Sequence, residues 1–405
     1  MTRRLQKLLK RVALAASVCS CTAIPAFAVD ELSPEMQAQM NAKTEFEQSF
    51  IEKLYDADTI DAEIALAVTS DESSEEIQPV SCNESSGGVL GGFKSFRKDA
   101  LCNPDPWWAH RSGVFGELLF LTPGSSDIIH AIEQTDPDPT IASPTGPVGI
   151  VAIDAEPGVR VGFSLAASHC SSLNVAYTWW EGSANDVLNA TGANVLDSQV
   201  AHPSLATSGA ASLSAEADHD VQFQTVDANY RHLWKRTETM AINWSAGLRY
   251  ANMEQGFVGQ QTMQVATGLT TVTTDIDFNG FGITGGLDLE RYSCRSGMFI
   301  YGKGMASLLA GTWEANYSHV NQLGGGVTAS EYEDFHATPI LEGEVGLGWM
   351  NKTGRIRAQT GFMMAGWYEA VSTRGYIDAV RESNLIDLGE TMTFSGLTSR
   401  VALRY

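Results

Sequence analysis

The sequence has little positive charge: 26 lysines and arginines stand against 48 aspartates and glutamates, a formal net charge of −22. A surface that binds nucleic acid needs an excess of positive charge to neutralise the phosphates. The negative net charge therefore argues against nucleic-acid binding. Charged residues of both signs make up only 18% of the 405 residues, against roughly 25% in an average soluble domain. The chain therefore has few charges with which to solvate a large surface.

Long apolar runs are also missing. After the N-terminus, no apolar run reaches the roughly 18 residues of a membrane-spanning helix, which excludes a helical membrane protein. The six cysteines form neither a CxxC pair nor a Cys/His cluster with zinc spacing, so we expect no metal site and no cofactor. The eight histidines fall mostly in predicted loops or turns. A barrel hydrolase would need a serine and a histidine on neighbouring strands on the lipid-facing side, and the sequence offers no such pair, so we expect no enzyme.

The first 28 residues have the features of a secretory signal. A basic start is followed by an apolar run over residues 12–27, and Ala26 and Ala28 flank Phe27 in the small-x-small pattern of a cleavage site. We predict that residues 1–28 are removed on export. Since this removes five positive charges and no negative ones, the net charge changes from −22 to −27. An N-terminal membrane anchor and lipid attachment at Cys21 are the alternatives.

Export allows disulfides, and cleavage would leave four cysteines, which permit three connectivities. We prefer the pair Cys82 and Cys102, because these two are close together in a glycine-rich segment. Cys170 and Cys294 are the other two.

Two segments precede the patterned part of the chain. Residues 29–80 are acidic, with 14 aspartates and glutamates between 30 and 80 against Lys43 and Lys53. A loose helical stripe there predicts either a periplasmic helix that binds a partner or, as the favoured interpretation, a partly disordered spacer. Residues 81–112 are rich in glycine and proline and contain Trp107 and Trp108, which predicts a connector that ends at an interface.

From residue 113 to residue 405, segments of about ten residues alternate with period two, as tilted membrane strands do. In segment 239–250, Trp244 and Leu248 share one face, and Asn243 and Arg249 share the other. A soluble antiparallel sheet also alternates. Here, however, the polar face is mostly glycine, alanine, serine, threonine and asparagine, with an isolated charge per strand, which favours a confined lumen over open solvent.

The connections between the predicted strands alternate between short and long. This asymmetry is typical of outer-membrane barrels with short periplasmic turns and long external loops. We therefore predict an all-β, antiparallel transmembrane β-barrel of about ten to twelve strands, and a hairpin within 256–275 or 312–335 would raise the count. The predicted strands are 113–122, 158–168, 171–181, 220–233, 239–250, 276–291, 297–310, 337–349, 354–368 and 392–405. The short turns are 169–170, 234–238, 292–296 and 350–353, and the long loops are 123–157, 182–219, 251–275, 311–336 and 369–391.

Seven segments share their order and spacing with a known family: 108–119, 247–250, 253–255, 278–282, 301–309, 342–349 and 394–398. They resemble the Legionella-type major outer-membrane, pore-forming protein family. The resemblance covers residues 107–405, and no single motif carries it. It implies an outer-membrane β-barrel and, more loosely, a porin, and it names no solute.

Twelve side chains fall on the predicted inward face, where we expect them to line a pore. A charge facing lipid would cost about 2–4 kcal/mol near mid-membrane, which fixes this assignment. Wall salt bridges without a transport role are the alternative, and the face of Lys303 is ambiguous. The twelve are Glu117, Arg160, Asn174, Asn243, Arg249, Asp288, Glu290, Glu342, Glu344, Arg357, Arg400 and Arg404.

The function predicted from these features is a porin-like barrel that passes small solutes or ions passively. Loop 123–157 carries six acidic residues and no lysine or arginine, which predicts a mild cation preference. Ten strands lie near the closed end of barrel sizes, so the alternative is a non-conducting surface barrel whose long loops bind an external partner. The expected partners are outer-membrane lipid, small solutes or ions, and the barrel-assembly machinery, which would recognise the C-terminal strand ending at Tyr405. The sequence is also compatible with a homo-oligomer.

Overall fold

The computed structural model describes residues 106–136, 138, 141–205, 212–263, 269–322, 326–386 and 388–405. The predicted signal peptide, the acidic segment and most of the predicted connector lie outside these ranges, as do Cys82 and Cys102. None of the helices in the described ranges is long and apolar enough to cross a membrane.

A single antiparallel sheet of thirteen strands makes up most of the described chain. An α-helix, α1 (Thr373–Glu382), and a short 3-10 turn (Pro203–Leu205) accompany it. The strands are β1 (Gly113–Gly124), β2 (Ile128–Gln134), β3 (Pro144–Val151), β4 (Glu156–Ser168), β5 (Ser171–Asn189), β6 (Val195–Ser198), β7 (Ser212–Arg236), β8 (Met240–Met263), β9 (Leu269–Tyr292), β10 (Met298–Asn321), β11 (Gly326–Met350), β12 (Ile356–Val371) and β13 (Gly389–Arg404).

Ten of these strands close into a barrel. Around the ring the order is β7, β5, β4, β1, β13, β12, β11, β10, β9 and β8, and a further β7–β8 pairing completes the circle. Strands β2, β3 and β6 lie outside the ring and continue the sheet beyond β7. Each of the ten predicted strands coincides with one of the ten ring strands, and four of them, 239–250, 297–310, 354–368 and 392–405, extend past the observed strand by one or two residues.

The prediction of long external loops is wrong for much of the chain, because strand structure continues into them. The predicted loop 251–275 consists mainly of the ends of β8 and β9, and the predicted loop 311–336 consists mainly of the ends of β10 and β11. The extra hairpins considered for these regions are absent from their described residues; the existing strands lengthen instead. Loop 123–157 contains β2 and β3, loop 182–219 contains β6, and loop 369–391 contains α1.

The apolar face changes side along the long strands. On β7, Val226 and Tyr230 point outward and are 41% and 42% exposed, whereas Val221 and Phe223 point inward and are 0% and 5% exposed. The same change occurs on β8, β9, β10 and β13. Apolar residues face an apolar surrounding in one half of the barrel and a packed core in the other. The half near the short turns therefore carries the lipid-facing band, and the other half is built like a water-soluble barrel.

The length of the strands agrees with this division. Strands β7 to β11 have 24 or 25 residues each, whereas about 9–11 tilted residues cross a bilayer. More than half of each long strand therefore projects beyond the lipid. We call the two ends of the barrel the short-turn end and the hairpin end.

Two cysteines of the described chain lie at the short-turn end. Cys170 belongs to the β4–β5 turn and Cys294 to the β9–β10 turn, and both are disulfide-bonded. The preferred pair, Cys82 with Cys102, lies outside the described residues and stays a prediction.

Candidate functional site

The lipid-spanning half of the barrel encloses a charged cavity of about 220 Å³. Glu117 lies beside it, 3% exposed, and is bonded to two of its lining arginines. The other eleven predicted inward residues line the cavity itself: Arg160, Asn174, Asn243, Arg249, Asp288, Glu290, Glu342, Glu344, Arg357, Arg400 and Arg404.

Ion pairs tie this cavity wall together. Arg249 of β8 donates through Nε to Asp227 of β7 at 2.6 Å and through Nη2 to Glu342 of β11 at 2.8 Å. The second bond crosses part of the lumen, because β8 and β11 are three places apart in the ring. Glu117 accepts from Arg160 at 3.3 Å and from Arg400 Nε at 2.7 Å. These groups are stabilised as charges by one another rather than by bulk water.

A second network lies closer to the short-turn end. Arg231 of β7 donates to Asp288 at 2.7 Å and to Glu290 at 3.2 Å, both on β9. Glu290 also accepts from Arg357 of β12 at 3.0 Å. One carboxylate thus joins three strands.

Sequence reasoning missed several members of the cavity. Asp227 and Arg231 lie on a strand whose faces were not assigned from the sequence. The apolar residues Val226 and Tyr230 each directly precede one of them and mark the opposite, outward face. Tyr301 donates to Glu344 at 2.7 Å. The ambiguous Lys303 lines the cavity, and among the residues the structure describes no carboxylate oxygen lies within 4 Å of its ammonium group.

The short-turn end is crossed by residues 107–111, the segment directly before β1. His110 N donates to His169 O at 2.9 Å, and Trp107 Nε1 donates to Glu238 O at 3.0 Å. The Trp107 ring stacks on Tyr292 at 5.2 Å, and Arg111 donates to Thr353 O at 3.0 Å, which completes contacts at all four short turns. This segment therefore lies across the opening of the barrel.

His110 anchors that segment inside the barrel. Its Nδ1 lies 2.8 Å from Ser172 Oγ and its Nε2 lies 3.0 Å from Asn243 Oδ1. Burial, together with the positive charge of Arg231, lowers the pKa of His110 to about 4. The ring is therefore neutral at ordinary pH and holds the segment by neutral hydrogen bonds.

Above the cavity, aromatic side chains fill the lumen. Phe223 of β7 touches Phe394 of β13 at 4.9 Å between ring centroids and Trp367 of β12 at 6.2 Å. Strands β7 and β12 are opposite each other in the ring of ten. Side chains from opposite walls therefore meet across the lumen at this level. We call this set the aromatic layer; it consists of Trp180, Phe223, Phe278, Trp313, Trp367 and Phe394, each at most 5% exposed.

Helix α1 packs into the interior above the aromatic layer. Its N-cap, Ser372, accepts a hydrogen bond from Gly375 N. The hydroxyl of Tyr376 donates to Ala315 O and Ser330 O at 2.9 and 3.0 Å, and Thr373 N donates to Gln255 Oε1 at 3.1 Å. These bonds to β8, β10 and β11 hold the helix inside the hairpin end.

The outward surface of the projecting half is acidic. Four carboxylates lie directly opposite one another in a single row across β8, β9, β10 and β11: Glu254, Asp277, Glu314 and Glu333. Burial and the neighbouring Asp275 raise the pKa of Asp277. In the part of the chain that the structure describes, no group of three or more histidine, cysteine, aspartate or glutamate side chains is arranged to hold a metal ion.

Comparison with known proteins gives one family and several distant structures. The family model described as Legionella pneumophila major outer membrane protein precursor matches residues 112–398. The outer membrane protease OmpT from Escherichia coli is 10% identical, with a TM-score of 0.38 over 73% of this chain and 97% of that chain. The toluene transporter TodX from Pseudomonas putida is 9% identical, with a TM-score of 0.24 over 78% and 94%. No curated protein matches the sequence.

Proposed function

The chain belongs to the family of the Legionella pneumophila major outer membrane protein, and we propose that in the outer membrane it forms a barrel closed to hydrophilic solutes. In this proposal the projecting half is a folded platform at the cell surface, where an external partner binds. The hairpins β8–β9 and β10–β11 are its outermost parts.

The contact of Phe223 with both Phe394 and Trp367 carries the proposal. A solute that crosses the barrel would have to separate these rings from opposite walls. The same rings belong to a continuous core that includes Leu119, Ile276 and Tyr376. Removing one large aromatic side chain from such a core costs about 3–5 kcal/mol. Opening a path would disrupt several of them at once, so thermal fluctuations would rarely do it.

Liposome swelling tests this function. Purified protein, refolded into vesicles, is mixed with an isotonic solution of a monosaccharide, and the rate of swelling is followed by light scattering. The proposal predicts the rate of protein-free vesicles, with a general porin as the positive control. Swelling that rises with the amount of folded protein would contradict the proposal.

A pore-forming barrel with mild cation preference is the second candidate. The observation that favours it is the polar cavity at the level of the lipid-facing band, which a purely structural wall does not need. For this function, the aromatic layer and residues 107–111 would both have to move. Inside the cavity the basic side chains outnumber the acidic ones, which opposes the cation preference expected from the acidic loops. Reversal potentials in a salt gradient would show whether the basic cavity or the acidic loops determine the ion preference of a pore.

We further propose that the barrel has no catalytic activity. The pair of His110 and Ser172 is the strongest argument against this proposal, because their side chains lie 2.8 Å apart. Both residues are buried, at 8% and 2% exposure. The lowered pKa of His110, about 4, also makes it a weak base at neutral pH. Failure of an active-serine probe to label Ser172 would agree with this proposal, and labelling would contradict it.

A further inference from the structure

The short-turn end of the cavity contains more arginines than carboxylates. Arg231, Arg357 and Arg404 line it together with Asp288 and Glu290. Both carboxylates are already engaged, since Arg231 bonds to both of them and Arg357 bonds to Glu290. Among the described residues of this end, one arginine therefore has no carboxylate partner.

That arginine is Arg404, on the last strand. Its Nε donates to Gly354 O at 3.2 Å and its Nη2 to Met350 Sδ at 2.9 Å. Among the described residues, no carboxylate oxygen lies within 4 Å of its guanidinium group. It is repelled by three neighbouring cations, Arg357, Arg111 and Arg231, and is attracted by Glu290.

Such an arrangement is unfavourable unless a negative charge joins it. Taking a guanidinium out of bulk water costs free energy that only a counter-charge or full hydrogen bonding recovers. A planar guanidinium matches the paired oxygens of a carboxylate or phosphate better than it matches a spherical ion. The cavity of about 220 Å³ is far larger than the roughly 10–15 Å³, on the same kind of measure, that one water needs.

We propose that the short-turn end of the cavity is a binding site for a small oxyanion, with Arg404 as its main donor and Arg357 beside it. The ligand class is an ion that bears a carboxylate or phosphate group and is small enough to fit beneath the aromatic layer. The site goes beyond the proposed function and does not depend on it, because a closed barrel and a conducting barrel would both contain it.

Isothermal titration of the full-length protein in detergent, with inorganic phosphate and separately with succinate, tests the site. We expect saturable binding of at least one of the two, and no comparable binding when chloride is added to the same ionic strength. The variant Arg404→Gln should weaken binding by about tenfold or more, equivalent to at least about 1.4 kcal/mol. The variant Arg404→Lys keeps the charge but loses the planar fork, so it should bind with intermediate affinity.

The matched control is Arg355→Gln, which removes one positive charge from the exposed β11–β12 turn outside the cavity. It should bind as the unaltered protein does. Heat-modifiable migration in detergent gels verifies that each variant is folded. The proposal is overturned if the unaltered protein binds neither ion, if chloride binds equally well, or if the folded Arg404→Gln variant keeps full affinity.

Discussion

The ring of Phe223 lies 4.9 Å from the ring of Phe394, although their strands are four places apart in a ring of ten. A contact of this kind joins side chains of distant strands across the lumen. In the proposed closed barrel, closure is therefore a property of the core of the projecting half. The charged cavity below it, by contrast, lies where the outer wall faces lipid.

Replacing Phe223 with alanine should destabilise the barrel strongly. The variant Phe223→Ala leaves a cavity in the aromatic layer, and we expect a loss of about 3–5 kcal/mol in the free energy of unfolding. The matched control, Val226→Ala, alters an outward residue on the same strand that is 41% exposed, and should cost about 1 kcal/mol or less. Urea unfolding of both variants, followed by fluorescence, measures the difference. Equal losses would show that Phe223 is not packed across the lumen.

Removing Arg249 should be as damaging as removing a core residue. The variant Arg249→Met leaves the carboxylates of Asp227 and Glu342, which are 10% and 17% exposed, without their shared arginine, and this costs about 3–5 kcal/mol. Neutralising both in the triple variant with Asp227→Asn and Glu342→Gln should recover most of this loss. Urea unfolding of the single and triple variants is the measurement. A triple variant less stable than the single one would show that the charges are not a buried network.

Acid should loosen residues 107–111. Because the pKa of His110 is lowered from its ordinary value to about 4 while the segment is bound, the bound state favours the neutral ring. The binding energy is complete above about pH 6.5, the unperturbed value for histidine, and decreases as the pH falls toward 4. The difference corresponds to at most about 3 kcal/mol. Quenching of Trp107 and Trp108 fluorescence by acrylamide should therefore increase over this pH range.

The control for this pH effect is His110→Gln, which keeps a hydrogen-bonding side chain but has no titrating group. Its quenching should be nearly independent of pH in the same interval. If His110→Gln still shows the full pH-dependent increase in quenching, a titrating group other than His110 causes the effect.

The acidic row on the outward surface should weaken the projecting sheet. Like charges directly opposite on neighbouring strands cost about 0.2–1 kcal/mol, so Glu314→Gln should stabilise the barrel by several tenths of a kcal/mol. The reverse change, Asn316→Asp, places a new carboxylate opposite Asp275 and Glu331 and should destabilise it by a similar amount. Both effects should shrink at high salt. Shifts of the same sign in urea midpoints would contradict this explanation.

The sequence predicts the ten ring strands well where one face is apolar and faces lipid. Predicted strand 239–250 ends at Tyr250, whereas β8 continues to Met263. From Met253 onward the apolar residues point inward, so the alternation persists but its apolar face changes side. A search for one constant apolar face therefore interprets the change as the end of a strand. This inversion explains why regions of strand were predicted to be loops.

The contacts across the lumen were harder to predict from sequence. Period-two alternation assigns a side chain to the lumen, but it gives no distance between opposite walls, so Phe223 and Trp367 could not be paired. Helix α1 and residues 107–111 lie within a predicted loop and a predicted connector, and their positions depend on contacts between distant residues, such as Tyr376 with Ala315. The charged residues of the lumen were easier to place, because lipid excludes them from the other face.

Single-channel recording in planar bilayers tests the central claim, closure by the aromatic layer, most directly. Folded protein, verified by heat-modifiable migration, is added to a bilayer under a constant voltage in concentrated salt. Closure predicts that insertion produces no stepwise increase in current. Regular steps of uniform conductance from the unaltered protein would contradict it and would favour the pore-forming function.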